Sequence, residues 1–484
     1  MRLARILSFA AAIAAIGGEK ARPRLPPDMQ SLVDLAMATP PEFAADALLR
    51  IATSANLRDP AAKRELIERA FQFAPRAQYA TRLIAAPGAE TDTRAGYLSS
   101  ALRLRLDALS LQTRAITAML PLDKARAREM MSQLIHPATE PLKCEEALIP
   151  DVSAYYEAVV GLINGAFSDN ERAQEEQLRF ALSQLSRASG AADIPGAASL
   201  LTSVGWSPPQ FEALVGAIAA RLAAMPPDYR TFWYYAKSIE DAIAGIVARA
   251  KQLGVGPEPL AQAYRAYLVS QLTAPRCGQS ESEVSASGLR HESLPPLFGA
   301  EIRGDLPALS PEEMKPERTE GGIKIERYWQ TDEAKRIFEA CWKLRAGPNG
   351  AYYSEAARNT PEWNRALRDF LNLLAGWNGA AEASEADYFH EKAIVFEALL
   401  ELTPPGELRD RVLENYIAFL QGSSLAGQSP VEWFWHVRAT VDRLAANGAA
   451  SAQLRTALER SGNVILTLEA TLDEKFPRYS MFPQ

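Results

Sequence analysis

Thr39-Pro40-Pro41-Glu42, Ser207-Pro208-Pro209-Gln210, Ser310-Pro311-Glu312-Glu313 and Ser429-Pro430-Val431-Glu432 repeat one pattern: a hydroxyl residue, then proline, with Glu or Gln three residues on. A hydroxyl at the N-cap accepts the N3 backbone N–H, proline at N1 needs no donor, and the N3 side chain reaches back to the N-cap N–H. Each pattern therefore predicts a helix start. Asp59-Pro60 and Thr360-Pro361 carry the same proline at N1, so such starts run from near the N-terminus into the last third of the chain. The expected fold class is all-α: helical hairpins stacked as an irregular superhelix or solenoid, in two helical halves joined by a Pro/Ser/Gly-rich linker.

Periodicity fills in the elements between these starts. In 60–75 the sets Leu66, Ala70, Phe73 and Ile67, Phe71, Ala74 recur at helical spacing, and Pro75 ends the run. From 97 to 120 two adjacent apolar stripes, Ala101-Leu104-Ala108-Leu111-Ala115 and Leu102-Leu106-Leu109-Ile116-Leu120, predict one long helix packed on more than one side. Further helices are expected at about 151–168, 170–189, 208–225, 229–253 and 257–273. The stretch 274–322 then turns rich in Ser, Pro, Gly and Glu, with Leu294, Leu297, Phe298 and Ile302 as apolar anchors. IKIERYW at 323–329 alternates like a strand, and helices resume at about 331–346, 361–376, 384–402, 406–421, 430–446 and 450–475. The domain reading is a signal peptide at 1–17, an N-terminal helical-repeat domain at 28–273, a linker at 274–322 and an aromatic-rich helical domain at 323–484.

The distance from Pro40 to Pro75 is close to the tetratricopeptide period, and Ala70 to Pro75 resembles the end of such a repeat. The resemblance to tetratricopeptide-like helical repeats covers this one hairpin. Ala47, Arg50, Ile51 and Ser54 stand where that repeat's first helix carries aromatic and small residues. It implies helical-repeat packing, and no enzyme family is matched.

Hydrophobic and charged fractions of 48% and 23% are those of an ordinary globular chain, which excludes wholesale disorder and an integral membrane protein. A formal charge of −7 gives no net basic field to attract phosphate backbones, so no nucleic-acid partner is expected. At the N-terminus Arg2 and Arg5 precede an apolar run from Ile6 to Ile16, and Ala15-Ile16-Gly17 offers small residues for cleavage. The expected location is therefore exported, periplasmic or secreted, with no transmembrane segment in the mature chain. Three cysteines, none within ligand spacing of another, imply neither a metal cluster nor a dense disulfide framework. In an exported chain Cys144 and Cys277, both in loops, are expected to form a disulfide, and Cys341, inside a helical run, a buried thiol. No cofactor is expected.

The strongest chemical pattern lies in SEADYFHEKAIVFEALLEL. On a helix from 384 to 402, Phe389, Ala393, Phe396 and Leu400 form the core stripe, with Asp387, His390, Glu397 and Glu401 along one flank. A carboxylate and a histidine at i, i+3 can share a metal or a proton. Glu432, His436 and Arg443 flank the Trp433 face of a second helix, so two helices each carrying a carboxylate and a histidine are able to converge. The bland reading is a polar network holding helices in register, with Glu432 spent on its capping box. His136 and Cys144, eight residues apart, superficially suggest a thiol and its base, but a proline-rich loop does not fix such geometry and no oxyanion-hole motif accompanies it.

Six of the eight tryptophans fall in the C-terminal part: Trp329, Trp342, Trp363, Trp377, Trp433 and Trp435. Such rings fill gaps between helices, and they also stack on sugars and partner side chains. Trp433, Trp435, Tyr388 and His436 are the candidate binding residues, and the aromatic run at 231–240 is a candidate groove lining. No phosphate-binding loop, nucleophile elbow, zinc-protease or calcium-loop motif is present. Together these features lead to the expectation of an exported, non-catalytic helical scaffold with a protein partner. The alternative is a glycan-binding or glycan-cleaving protein with a groove of Trp and carboxylates in its C-terminal half.

Overall fold

A computed structural model describes residues 25–78, 80–83, 99–136, 141–142, 148–278, 295–322, 331–347, 349–381, 383–445 and 463–476. The described chain is all-α. The exceptions among the described residues are two short pairings, Thr81–Leu83 antiparallel to Leu148–Pro150 and Arg276–Gly278 parallel to Thr319–Gly322, and one isolated antiparallel bridge, Ala346 to Tyr352. Residues 1–17, Cys144, Leu294 and the strand-like 323–329 lie outside the described residues.

The proline-marked starts resolve into three outcomes. Asp59 Oδ1 accepts the Ala61 N–H at 2.9 Å and Thr360 Oγ1 the Trp363 N–H at 3.3 Å, opening helices Pro60–Phe73 and Pro361–Gly376. At Ser207 the N-cap N–H donates to Gln210 Oε1 at 3.2 Å, opening Pro208–Ala224. Ser310 and Glu313 form the reciprocal pair, at 2.9 and 3.3 Å, yet only a single 3-10 turn, Glu312–Met314, follows. Pro316 is the reason: the residue before a proline is pushed out of the helical region, and Lys315 is extended. Thr39 differs from expectation. Its hydroxyl donates to Ala36 O at 2.7 Å and closes the preceding helix, Pro27–Met37, so the next begins one residue late, as Pro41–Thr53.

The expected long helix at 97–120 is two helices, Ser100–Leu104 and Ala108–Met119. Arg105 ends the first in the left-handed region at φ 55°, and Asp107 opens the second by accepting the Ser110 N–H at 2.8 Å. A second left-handed residue, Glu175, likewise divides the helix expected at 170–189 into Asp169–Ala173 and Glu176–Leu185.

A continuous buried apolar core runs from Met29 to Phe476. The first and last described helices meet within it. Phe43 stands edge-on to Phe434 at 5.2 Å, and helix Val464–Lys475 packs on the first two helices, where the Arg50 guanidinium holds Phe476 O at 2.6 and 3.0 Å. Within 274–322, the anchors Leu297, Phe298 and Ile302 are buried. No described helix is long and apolar enough to cross a membrane.

Candidate functional site

Three C-terminal helices, Glu385–Leu402, Glu407–Gly422 and Pro430–Ala445, position the histidine cluster. Ser384 starts the first by accepting the Asp387 N–H at 3.1 Å. Its apolar stripe then faces the second helix: Phe389 stacks on Phe419 at 5.4 Å and Phe396 on Tyr416 at 5.1 Å. The third helix is tied to the second by Trp433, whose indole N–H donates to Leu420 O at 2.9 Å.

That packing brings His390 and His436 together. His390 Nδ1 lies 2.9 Å from His436 Nε2, His436 Nδ1 lies 2.8 Å from Glu397 Oε1, and the Tyr416 hydroxyl donates to the same Glu397 oxygen at 3.2 Å. Glu432 Oε2 is 3.7 Å from His390 Nε2. Asp387, His390, Glu432 and His436 are all buried. Burial, reinforced by the neighbouring His436, pushes the His390 pKa down to about 2, while burial raises that of Glu432 against a hydrogen bond from Ser429. Glu401, one turn beyond Glu397, sits at the surface.

Sequence reading passed over Glu391, on the same helix. It is buried, neither carboxylate oxygen has a hydrogen-bond partner among the described residues, and burial together with Asp387 raises its pKa to about 7. Beside it Lys392 is buried too. Its ammonium donates to Trp377 O at 2.7 Å and to the Tyr388 hydroxyl at 2.9 Å, and burial lowers its pKa to about 8. Tyr388 is thereby engaged internally, its own hydroxyl donating to Trp377 O at 2.8 Å.

The arrangement can store and order protons inside the core. Among the described residues no group of three His, Cys, Asp or Glu side chains is placed to hold a metal ion. Cys341 is a buried thiol, raised by burial to about 11. Cys144 lies outside the described residues, so the expected disulfide does too. His136 Nε2 lies 2.9 Å from Asp193 Oδ1, in a buried cluster with Tyr155 and Tyr156.

Open space lies elsewhere. A cleft of about 1060 Å³ is walled by helices Pro41–Thr53, Ala108–Met119 and Ser153–Gly165, by Arg103 and Arg105, and by Lys475 and Phe476. A second space of about 470 Å³ shares Arg103, Arg105, Thr113, Arg114, Ala154 and Glu157 with it and runs on to Asp151 and Tyr234. Tyr234 is the member of the 231–240 aromatic run that is exposed. Neither space is lined by Asp387, His390, Glu397 or His436.

The cleft floor is a web of charge. Arg114 pairs with Asp46 at 2.8 Å, and Arg50 with Glu469 at 3.2 Å. The Arg103 guanidinium stands 4.1 Å over the Trp435 ring, so helix Pro430–Ala445 backs this cleft arginine with Trp435 and gives His436 to the buried cluster. Asp46 and Arg50 were legible as charged residues one turn apart in the apolar run AADALLRIA. Arg103, Arg105 and Arg114 carried no such signal, because the break at Arg105 aims them. Comparison with protein-family models and with curated proteins finds no match to this chain.

Proposed function

We propose that the protein is an exported, non-catalytic interaction module that engages a protein partner through the arginine-lined cleft. One observation carries the reading: an open, charged cleft is assembled from five stretches of chain, whereas the histidine cluster is closed into the core. Catalysis needs the acid or base within hydrogen-bond reach of a substrate, and His390 is 1% exposed. A cleft of this size, with apolar and charged walls, suits a segment of a folded partner.

The test is affinity capture with residues 18–484 from cell-envelope extract, read by mass spectrometry. A protein partner should be recovered by wild type and by His390→Gln, and lost with Ala154→Trp, which fills the cleft from its shared wall. Loss of a turnover activity in His390→Gln, or retention of the partner by Ala154→Trp, overturns the reading. Export is checked separately by sequencing the N-terminus of the protein recovered from cells, expected to begin after residue 17.

A second reading, glycan binding, has one feature in its favour. Trp342 and Tyr352 are 50% and 65% exposed, with the Arg345 guanidinium 5.7 and 5.3 Å from their rings. Tryptophan fluorescence that responds to oligosaccharides in wild type, and not in Trp342→Ala, would support it.

A further inference from the structure

Taking the cleft as the interaction surface, the chemistry of its occupant follows from Arg105. This residue ends helix Ser100–Leu104 at φ 55°, ψ 34°, where its N–H bonds Leu102 O and the Leu106 N–H bonds Ala101 O, both at 2.9 Å. Glycine is the usual residue at such a helix end, since a Cβ there is sterically unfavourable. Here the position carries a long cation instead. Arg114 pins the Arg105 carbonyl with a hydrogen bond of 3.4 Å, so the turn is fixed on both sides.

The Arg105 side chain is exposed and lines both parts of the cleft, and among the described residues its guanidinium has no ion pair. Arg103, backed by Trp435, and Arg114, backed by Asp46, line the same space. Three guanidinium groups thus converge in a protein whose formal charge is −7. Their planar forks match carboxylates bidentately. The cleft also has apolar wall, from Leu49, Ala118, Ala158 and Phe476, and its roughly 1060 Å³ is far more than one small oxyanion fills.

We infer that the cleft takes an acidic peptide segment of the partner, with an Asp or Glu side chain on Arg105 flanked by Arg103 and Arg114. Glu157 lines the same space and repels the same charge, which supplies an internal control of opposite sign.

The probe is a fluorescein-labelled hexapeptide alternating Glu and Leu, followed by polarisation, with a Lys/Leu peptide and inorganic phosphate as comparators. The Glu peptide should bind and the Lys peptide should not. Arg105→Gly, which suits the left-handed position, should weaken binding about tenfold without lowering the melting temperature, and Arg105→Asn should behave alike. Glu157→Gln should tighten binding about two- to fivefold, and raising the salt should weaken it. Wild-type affinity in Arg105→Gly, equal binding of the Lys peptide, or full displacement by millimolar phosphate overturns the inference. If partner capture remains sensitive to Ala154→Trp while the two peptides bind alike, the cleft stands as the surface and the acidic occupant alone falls.

Discussion

His390 Nδ1 lies 2.9 Å from His436 Nε2, and the hydrogen bond from His436 Nδ1 to Glu397 Oε1, at 2.8 Å, fixes which ring donates. Glu397 Oε1, which also takes the Tyr416 hydroxyl, is the acceptor, so His436 carries its proton on Nδ1, its Nε2 accepts, and His390 Nδ1–H donates. His390 is then neutral, in keeping with a pKa near 2. In the unfolded chain the same ring titrates at about 6.5. Between these values the unfolded state binds the extra proton, so stability is fully present above 6.5 and is lost as pH falls, by up to about 1.4 kcal/mol per unit. His390→Gln should lower stability at pH 7.5 by about 1–3 kcal/mol through the broken hydrogen bond, with the deficit shrinking at pH 5. Urea unfolding at the two pH values measures this, and an equal deficit at both would mean that the His390 ring titrates in the fold as it does in the unfolded chain.

Glu391, the next residue, tilts the other way. Its pKa is raised to about 7 from the ordinary glutamate value of 4.5, so the folded state binds the extra proton in between. Stability is present below 4.5 and is lost as pH rises through 7. Replacing it with Gln mimics the protonated acid at every pH. Glu391→Gln should therefore match wild type near pH 4.5 and exceed it by about 2–3 kcal/mol above pH 7. Over the shared window the two residues offset each other, and the wild-type profile should be flatter than that of either variant. A Glu391→Gln curve parallel to wild type would sink this account.

Arg50 joins helix Pro41–Thr53 to helix Val464–Lys475. Its guanidinium meets Glu469 at 3.2 Å, Asp46 at 3.8 Å and Phe476 O, all out of solvent. Arg50→Met keeps most of the volume but takes the guanidinium away from the buried Glu469 carboxylate and the Phe476 carbonyl, while Asp46 keeps its pairing with Arg114 at 2.8 Å; the change is expected to destabilise by about 3–5 kcal/mol. Helix Val464–Lys475 should loosen first, since it is held to Pro41–Thr53 through this contact. Limited proteolysis with mass spectrometry should show cleavage within 464–475 in the variant before any cut in the 41–53 helix. Simultaneous cutting at both would place the loss in the whole core.

The helices were legible because their signals are local. A cap, a proline and a 3.6-residue period act within one turn, and Asp59, Ser207 and Thr360 act as their sequence context implies. Where a neighbour competes for the same group, the local signal fails: the Thr39 hydroxyl goes to Ala36 O, and Pro316 stops the turn that Ser310 starts. The break at Arg105 was half visible in Asp107, a good N-cap inside an apparently continuous helix. The spacing of Asp387, His390 and Glu397 put them on one flank, but the meeting with His436 depends on how two helices pack, which no single helix encodes. The cleft was illegible for the same reason, its walls being drawn from residues near 46, 105, 114, 157 and 475.

Gly196 shows how closely two such helices approach. It lies in helix Asp193–Thr202, where alanine would ordinarily stabilise by about 1 kcal/mol. A Cβ there would stand 2.3 Å from Cδ2 and 2.7 Å from Cγ of the Tyr156 ring. The ring cannot move freely, because its hydroxyl donates to Asp193 Oδ1 at 3.1 Å and its edge meets Tyr155 at 5.1 Å. Asp193 is fully buried and also accepts the Ser189 and Gly190 N–H groups, at 2.9 and 3.1 Å, so a shifted Tyr156 disturbs a buried carboxylate. Gly196→Ala is therefore expected to destabilise by about 1–3 kcal/mol from overpacking, and by more if the hydroxyl contact breaks. Tyr156→Ala removes the obstructing Cγ and Cδ atoms, so the double variant should be more stable than the sum of the single losses implies. Additive losses in that cycle would show that the ring is not what keeps residue 196 a glycine.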